Sequence, residues 1–176
     1  MAYNPARTAW TDPSTVPVSV PEAIQGCVRG LHHIAIVVPS IEDARATYVD
    51  VLGMTAGEIE HVPDQKVDVL VCFAGTQRIE LVMPASEDSP VTRFLEKRGG
   101  GLHHVAYLVD DVEAAIAQLD AAGVQLIDHA ARPGSHGTRI AFVHPRATGG
   151  VLTELVEDPH AATTEAARET GRPATS

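Results

Sequence analysis

Leu31-His32-His33-Ile34-Ala35 recurs 71 residues later as Leu102-His103-His104-Val105-Ala106. The similarity continues downstream of each histidine pair. Ile41-Glu42-Asp43-Ala44 and Leu52-Gly53-Met54 follow the first, while Val112-Glu113-Ala114-Ala115 and Ala122-Gly123-Val124 follow the second in the same order. Each copy then closes on a glutamate set in an apolar run, Ile79-Glu80-Leu81-Val82 and Thr153-Glu154-Leu155-Val156. Internal repetition constrains a fold more than a single motif does, because each copy must build the same supersecondary unit. Here that unit is a histidine on one strand and a glutamate on a later strand. Made twice, it can bring four ligands to a pseudo-twofold axis.

Working outward, each copy reads as strand, helix, then further strands. Residues 31–38 are apolar and rich in β-branched side chains, and Pro39-Ser40 ends the run. Ser40 can cap a helix reaching about residue 52, with Glu42 and Asp43 in its first turn and Gly53 as the stop. Residues 67–73 and 77–83 are the next strands, split by Gly75-Thr76. In the second copy, 102–109 is a strand, and Asp110 or Asp111 caps a helix from 112 to about 122 that Gly123 stops. Strands are expected at 124–127, 139–143 and 151–156, and a short helix at 91–97 in the connector. The plan is βαβββ twice.

Alternation along a strand puts His33, Ala35 and Val37 on one face and His32, Ile34 and Ile36 on the other. Glu80 shares its face with Arg78 and Val82, and Glu154 with Leu152 and Val156. A carboxylate buried in an apolar strand is costly unless it is paired or binds a metal. A single histidine is usually a hydrogen-bonded core or surface residue, and a single glutamate usually faces solvent. Matching positions in both copies favour a four-ligand metal site instead. Two imidazoles and two carboxylates suit Co²⁺, Mn²⁺, Ni²⁺ or Zn²⁺. The residues leave open which histidine of each pair binds; the second, just before the β-branched/Ala step, is preferred.

The chain of 176 residues carries a formal net charge of −10, which argues against a nucleic-acid partner. Hydrophobic residues make up 44% and charged residues 20%, which suits a soluble globular domain. No apolar run approaches a membrane span, and the N-terminus lacks the charged-then-apolar order of a signal peptide. Cys27 and Cys72 show no paired spacing, so a reducing cytoplasm is expected. Residues 1–28, with Pro5, Pro13, Pro17 and Pro21, read as an irregular extension. Residues 158–176 read as a tail with a short helix at 161–169.

The duplicated βαβββ plan with His and Glu ligands resembles the vicinal oxygen chelate superfamily, which includes glyoxalase I, extradiol dioxygenases and fosfomycin-resistance proteins. The resemblance covers about residues 30–157. Within the superfamily, the chain is similar to the methylmalonyl-CoA epimerase family. Arg78-Ile79-Glu80-Leu81-Val82-Met83-Pro84, Glu87-Asp88-Ser89-Pro90 and Gly100-Gly101-Leu102-His103-His104-Val105-Ala106 carry this likeness. So do Ala141-Phe142-Val143-His144-Pro145 and Gly149-Gly150-Val151-Leu152-Thr153-Glu154-Leu155.

The resemblance implies an α+β fold, two tandem βαβββ modules forming a curved sheet around a metal site. The domain would span 29–157, with module one at about 30–84 and module two at about 101–157. The family's metal ligands fall on His33, His104 and Glu154, and its fourth ligand, Gln or Glu, on Glu80. The implied ion is divalent, with Co²⁺ preferred over Mn²⁺, Ni²⁺ and Zn²⁺. The implied reaction interconverts the (R) and (S) forms of an acyl-CoA, methylmalonyl-CoA, through a metal-stabilised enediolate. Glu80 and Glu154 are the candidate catalytic residues moving the C2 proton. One departure concerns a strand where some members place a glutamate proposed as the base. The aligned residue is Val69, and the adjacent Asp68 should point to the other face. The rival readings are glyoxalase I and an epimerase of a related acyl-CoA. An extradiol dioxygenase fits less well, since Glu80 would be a surplus carboxylate on its two-His-one-carboxylate iron site. Ser135-His136-Gly137 could approach the active site but reads first as a turn, as does His144-Pro145; Arg78, Lys97 and Arg139 could meet CoA phosphates but read first as surface charges. A homodimer is expected from the fold.

Overall fold

The first half of the chain contributes β1 (Val28–Val37), β2 (Thr55–Val62), β3 (Val67–Ala74) and β4 (Gln77–Pro84). The second contributes β5 (Gly101–Val109), β6 (Arg132–Pro133), β7 (Arg139–Val143) and β8 (Leu152–Glu157). In the computed structural model, which describes residues 27–161, these strands form one sheet in the order β2-β3-β4-β1-β5-β8-β7-β6. β1 runs parallel to β4, and β5 runs parallel to β8, while β1 and β5 pair antiparallel at the centre. Each half therefore mirrors the other across the β1/β5 seam. Nearly all of the expected N-terminal extension, most of the C-terminal tail and most of its helix at 161–169 lie outside the described residues.

Two of the helices start where the sequence provides a side-chain cap. Ser40 Oγ accepts the Asp43 N–H at 3.1 Å to start α1 (Ile41–Arg45), and Asp111 Oδ1 accepts the Ala114 N–H at 3.0 Å to start α3 (Val112–Ala121). Between them, α2 (Thr92–Arg98) lies within one residue of its expected position. One helix departs from expectation. Instead of an unbroken α-helix to residue 52, α1 widens into a π-helical segment, Ala46–Val51, with the Leu52 N–H reaching back to Thr47 O at 2.9 Å. Both Tyr48 and Val49 then pack against the apolar cluster around Leu70 and Leu81.

Two strands also differ from the pattern reading. The strand expected at 124–127 reduces to one bridge, Leu126 to Val143, and the edge position is taken by the two-residue β6. β2 escaped the sequence reading because Glu58, Glu60 and His61 interrupt its apolar residues. It is an edge strand with one wet face, where burial sets no clear periodicity.

The two faces of the sheet hold different cores. Outward-facing Leu70, Cys72 and Leu81 pack under α1, and Ala141, Val143 and Leu155 pack under α3. Burying a side chain such as Leu70 or Leu81 contributes about 1.5–3 kcal/mol relative to leaving it exposed. Inward-facing Val67, Val69, Val71 and Val82 from one half, with Ile140, Phe142 and Val156 from the other, line the concave side. At the turn into β5, Gly100 has φ of +109°, and a Cβ there would lie 2.7 Å from the Val37 carbonyl oxygen. Only glycine lets the chain pass that close and lay β5 beside β1.

Both cysteines are free. Among the described residues no helix is long and apolar enough to cross a membrane.

Candidate metal centre

Both histidine pairs lie on the β1/β5 seam, and each begins at a β-bulge. Along β1, Leu31 opposes Tyr107 and His33 opposes Ala106, which leaves His32 without an opposite number. Along β5, His104 opposes Ala35 and Leu102 opposes Ile36, which leaves His103 in the same position. Strict alternation places His32 on the face opposite His33; the bulge overturns that expectation by inserting one residue and re-aiming its side chain. His32 Nδ1 accordingly lies 2.7 Å from His33 Nδ1, and His103 Nδ1 lies 2.9 Å from His104 Nδ1.

The inner nitrogens of the second histidines converge. His33 Nε2 and His104 Nε2 are 3.1 Å apart. Glu154 Oε2 lies 3.1 Å from His33 Nε2 and 3.2 Å from His104 Nε2. Glu80 approaches from the other side, its Oε2 3.5 Å from His33 Nε2. All four side chains are buried. The register explains the meeting point: Glu80 sits beside Ala35 on β4, and Glu154 sits beside Ala106 on β8. Thus the four residues singled out in the sequence come together, three as a tight triad and Glu80 at its margin.

The triad suits a cation better than it suits its own hydrogen bonds. Glu154 Oε2 is buried and takes no well-directed hydrogen bond, although two imidazole nitrogens stand within 3.2 Å of it. Lone pairs on three donors pointing at one volume are the arrangement a metal ion satisfies. Donors roughly 3.1 Å apart are also what one ion with bonds of about 2.0–2.2 Å holds on a single face of its coordination shell. His33, His104 and Glu154 can hold such an ion, with Glu80 as a fourth ligand.

The electrostatics follow from burial and from this crowding. Burial disfavours the charged form of His33, but the Glu80 and Glu154 carboxylates outweigh it and raise its pKa. Burial likewise opposes ionisation of Glu154, yet His104 and His33 hold its carboxyl well below the usual range. The outer histidines behave differently. Burial, then the neighbouring second histidine of each pair, lowers both His32 and His103 to about 4, so both are neutral at physiological pH.

A cavity of about 270 Å³ opens over the four converging side chains, walled by Val67, Val69, Val82, Ile140 and Phe142. Val69 faces this cavity, while Asp68 turns away and meets His61 Nδ1 at 2.8 Å. The wall carries one Lys or Arg side chain among the described residues, Arg132. Its Nε donates to Asp128 Oδ2 at 3.1 Å, and its guanidinium lies over the Phe142 ring at 5.2 Å. Asp128 is itself fixed by the Phe142 N–H at 2.9 Å, and Phe142 packs edge-on against His104. The Arg132-Pro133-Gly134 stretch, β6 and the residue after it, gave no chemical signal in the sequence beyond its turn residues. Gly134 suits that place, because a Cβ there would run into the Thr138 hydroxyl and the Ile140 side chain.

The remaining candidates sit in turns and ion pairs, with Ser135 also on the cavity wall. Ser135–Gly137 is a short 3₁₀ turn with Ser135 on the cavity wall and His136 Nδ1 2.7 Å from Glu60. His144-Pro145 starts another turn, in which His144 accepts the Arg146 N–H at 3.1 Å. Arg139 pairs with Glu113 and Glu157. Arg78 is no free surface charge, since it reaches His32 Nε2 at 2.8 Å.

Residues 32–142 match the Glyoxalase/Bleomycin resistance protein/Dioxygenase superfamily, and the chain belongs to it. The curled sheet of two like halves is its fold. Mouse mitochondrial methylmalonyl-CoA epimerase is 40% identical over 126 residues, which cover 71% of each chain. The ethylmalonyl-CoA/methylmalonyl-CoA epimerase of Cereibacter sphaeroides is 39% identical over 127 residues, covering 71% of this chain and 95% of that one. The crystal structure of methylmalonyl-CoA epimerase from Mycobacterium tuberculosis superposes with a TM-score of 0.73 at 36% identity, covering 79% and 95% of the two chains. Within the superfamily, the chain belongs with the methylmalonyl-CoA epimerases, a family of enzymes.

Proposed function

We propose that the chain is a metal-dependent epimerase that interconverts (R)- and (S)-methylmalonyl-CoA by removing and returning the proton at C2. The observation that carries this reading is the convergence of His33, His104, Glu154 and Glu80 beneath an apolar cavity with a cationic wall residue. The names of the relatives support the acyl-CoA class. The superfamily is metal-dependent, and Co²⁺ is the ion proposed, with Mn²⁺, Ni²⁺ and Zn²⁺ as alternatives. The duplication supports a domain at 29–157 made of modules at about 30–84 and 101–157. A cytoplasmic homodimer completes the reading.

C2 lies between a thioester and a carboxylate, so its proton is weakly acidic. When bound, the ion supplies Lewis-acid stabilisation of the negative charge that develops on the substrate oxygens. The apolar walls exclude water and so strengthen every charge interaction at the floor. Epimerisation needs a proton donor and acceptor on the two faces of the planar anion. Glu80 comes from β4 on one side of the seam and Glu154 from β8 on the other. We assign proton transfer to these two. Glu80 stands at the margin of the triad, its Oε2 3.5 Å from His33 Nε2, so we assign proton abstraction chiefly to it. Arg132 offers its two terminal nitrogens to the anionic part of the substrate, held in position by Asp128 and Phe142.

The test is deuterium exchange at C2 of methylmalonyl-CoA with and without chelator, run beside a methylglyoxal–glutathione assay. Exchange that is lost on chelation, with no glyoxalase activity, supports the reading. Activity only in the second assay overturns it in favour of glyoxalase I.

A further inference from the structure

The two copies differ behind their inner histidines. His32 Nε2 lies 3.1 Å from Asp158 Oδ2 and 2.8 Å from Arg78 NH1, and the His32 and Asp158 side chains are each 7% exposed. In the second copy His103 packs edge-on against Phe94, and among the described residues no carboxylate meets its far nitrogen. The sequence shows the source of the asymmetry. Arg78 stands two positions before Glu80, where the other copy has Leu152 before Glu154. Asp158 stands four positions after Glu154, where the other copy has Pro84 after Glu80.

We infer that Asp158 is a positioning residue for His33, acting through His32, and that Arg78, whose NH1 also lies 3.7 Å from Asp158 Oδ2, competes with it at the same nitrogen. This rests on the reading of His33 as a metal ligand. To offer the Nε2 lone pair, neutral His33 must carry its proton on Nδ1. That N–H points at His32 Nδ1, 2.7 Å away, which must then accept. Neutral His32 is left with its proton on Nε2, and the acceptor within reach is Asp158 Oδ2. Asp158 thus selects the one pair of tautomers in which His33 is a ligand. The Arg78 guanidinium can only donate. By donating to His32 Nε2 it favours the reverse pair, in which His32 Nδ1–H points at His33 and the His33 proton moves to Nε2. The outer carboxylate and the guanidinium therefore set the readiness of one ligand, and the bulge at His32 brings that relay into line.

The experiment uses the full chain, stripped of metal and titrated with Co²⁺ or Zn²⁺ against a chromophoric chelator. Asp158→Asn is expected to weaken binding about 10–100-fold, as loss of an outer-shell partner does. Arg78→Met is expected to leave affinity unchanged or to tighten it. In the Zn²⁺-loaded protein, ¹⁵N NMR of the histidine rings should show His32 as the Nε2–H tautomer, shifting towards Nδ1–H in Asp158→Asn. His32→Gln should weaken binding as Asp158→Asn does, and adding Asp158→Asn to it should change little further. The inference is overturned if Asp158→Asn stays within twofold of wild type, or if Arg78→Met weakens binding equally. Failure of the wild type to bind either ion would instead overturn the metal reading, and the inference with it.

Discussion

Ala106 stands opposite His33 across the central strand pair, as Ala35 stands opposite His104, and both alanines are fully buried. Each small side chain leaves the volume into which the facing imidazole swings. Ala106→Leu is therefore expected to overpack the floor of the cavity. The expected cost is about 1–3 kcal/mol of stability, read by denaturant unfolding, together with loss of stoichiometric metal. Unchanged metal content in a folded Ala106→Leu variant would contradict this account of the seam.

The two glutamates should separate by phenotype. Glu154 belongs to the tight triad, so Glu154→Gln is expected to lose metal and turnover together. Glu80 lies at the margin, so Glu80→Gln should keep the ion and lose about 10²–10⁴-fold in kcat. Metal analysis beside turnover decides the matter. If both variants keep their metal and near wild-type rates, the assignment of proton transfer to these residues is wrong.

Metal binding should strengthen as pH rises. In the metal-free protein the carboxylates raise His33 above its usual 6.5, and the imidazoles depress Glu154 below its usual 4.5. The His33 contribution to stability is full below pH 6.5 and is lost as pH climbs through the raised value. The Glu154 contribution is present above pH 4.5 and is lost as pH falls towards the depressed value. An incoming ion must displace the His33 proton, so log affinity should rise by about one per pH unit and flatten above the raised His33 value. Calorimetry in buffers of different ionisation enthalpy would show the released proton. A flat affinity profile between pH 6 and 8 would refute the competition.

Removal of the ion should cost thermal stability. Saturation at 100 times the dissociation constant contributes about 2.7 kcal/mol. For a domain of this size that corresponds to a fall in Tm of roughly 6–10 °C on chelation. Differential scanning fluorimetry should show the fall and its reversal by added Co²⁺.

Arg132 should govern recognition of the anionic substrate. Arg132→Leu removes the guanidinium and its charge, so KM for methylmalonyl-CoA is expected to rise about 10–100-fold, the loss of one charge-assisted contact. The effect on kcat should be smaller. A kcat loss at unchanged KM would place Arg132 outside substrate binding.

The repeated His-His and its downstream glutamate made the duplicated fold legible without any structure, together with the four side chains that the fold brings together. Those features depend on spacing along the chain: two matching strand–helix–strand runs, each with its cap, its stop glycine and a carboxylate where alternation buries it. Even the orientation of Val69 and Asp68 follows from alternation alone. The tertiary structure decided what depends on register between distant strands. The bulges at His32 and His103 exist only because β1 and β5 pair with one residue to spare at each site. A bulge has no signature within one strand, so alternation placed His32 on the wrong face. The π-helical turn after α1 and the single bridge at Leu126 likewise arise from packing on the sheet rather than from local propensity. Arg132 and Asp158 acquire their places from the pairing of β6 with β7 and from the turn just after β8. Local chemistry thus determined which ligands are available, and long-range pairing determined which atoms of them meet.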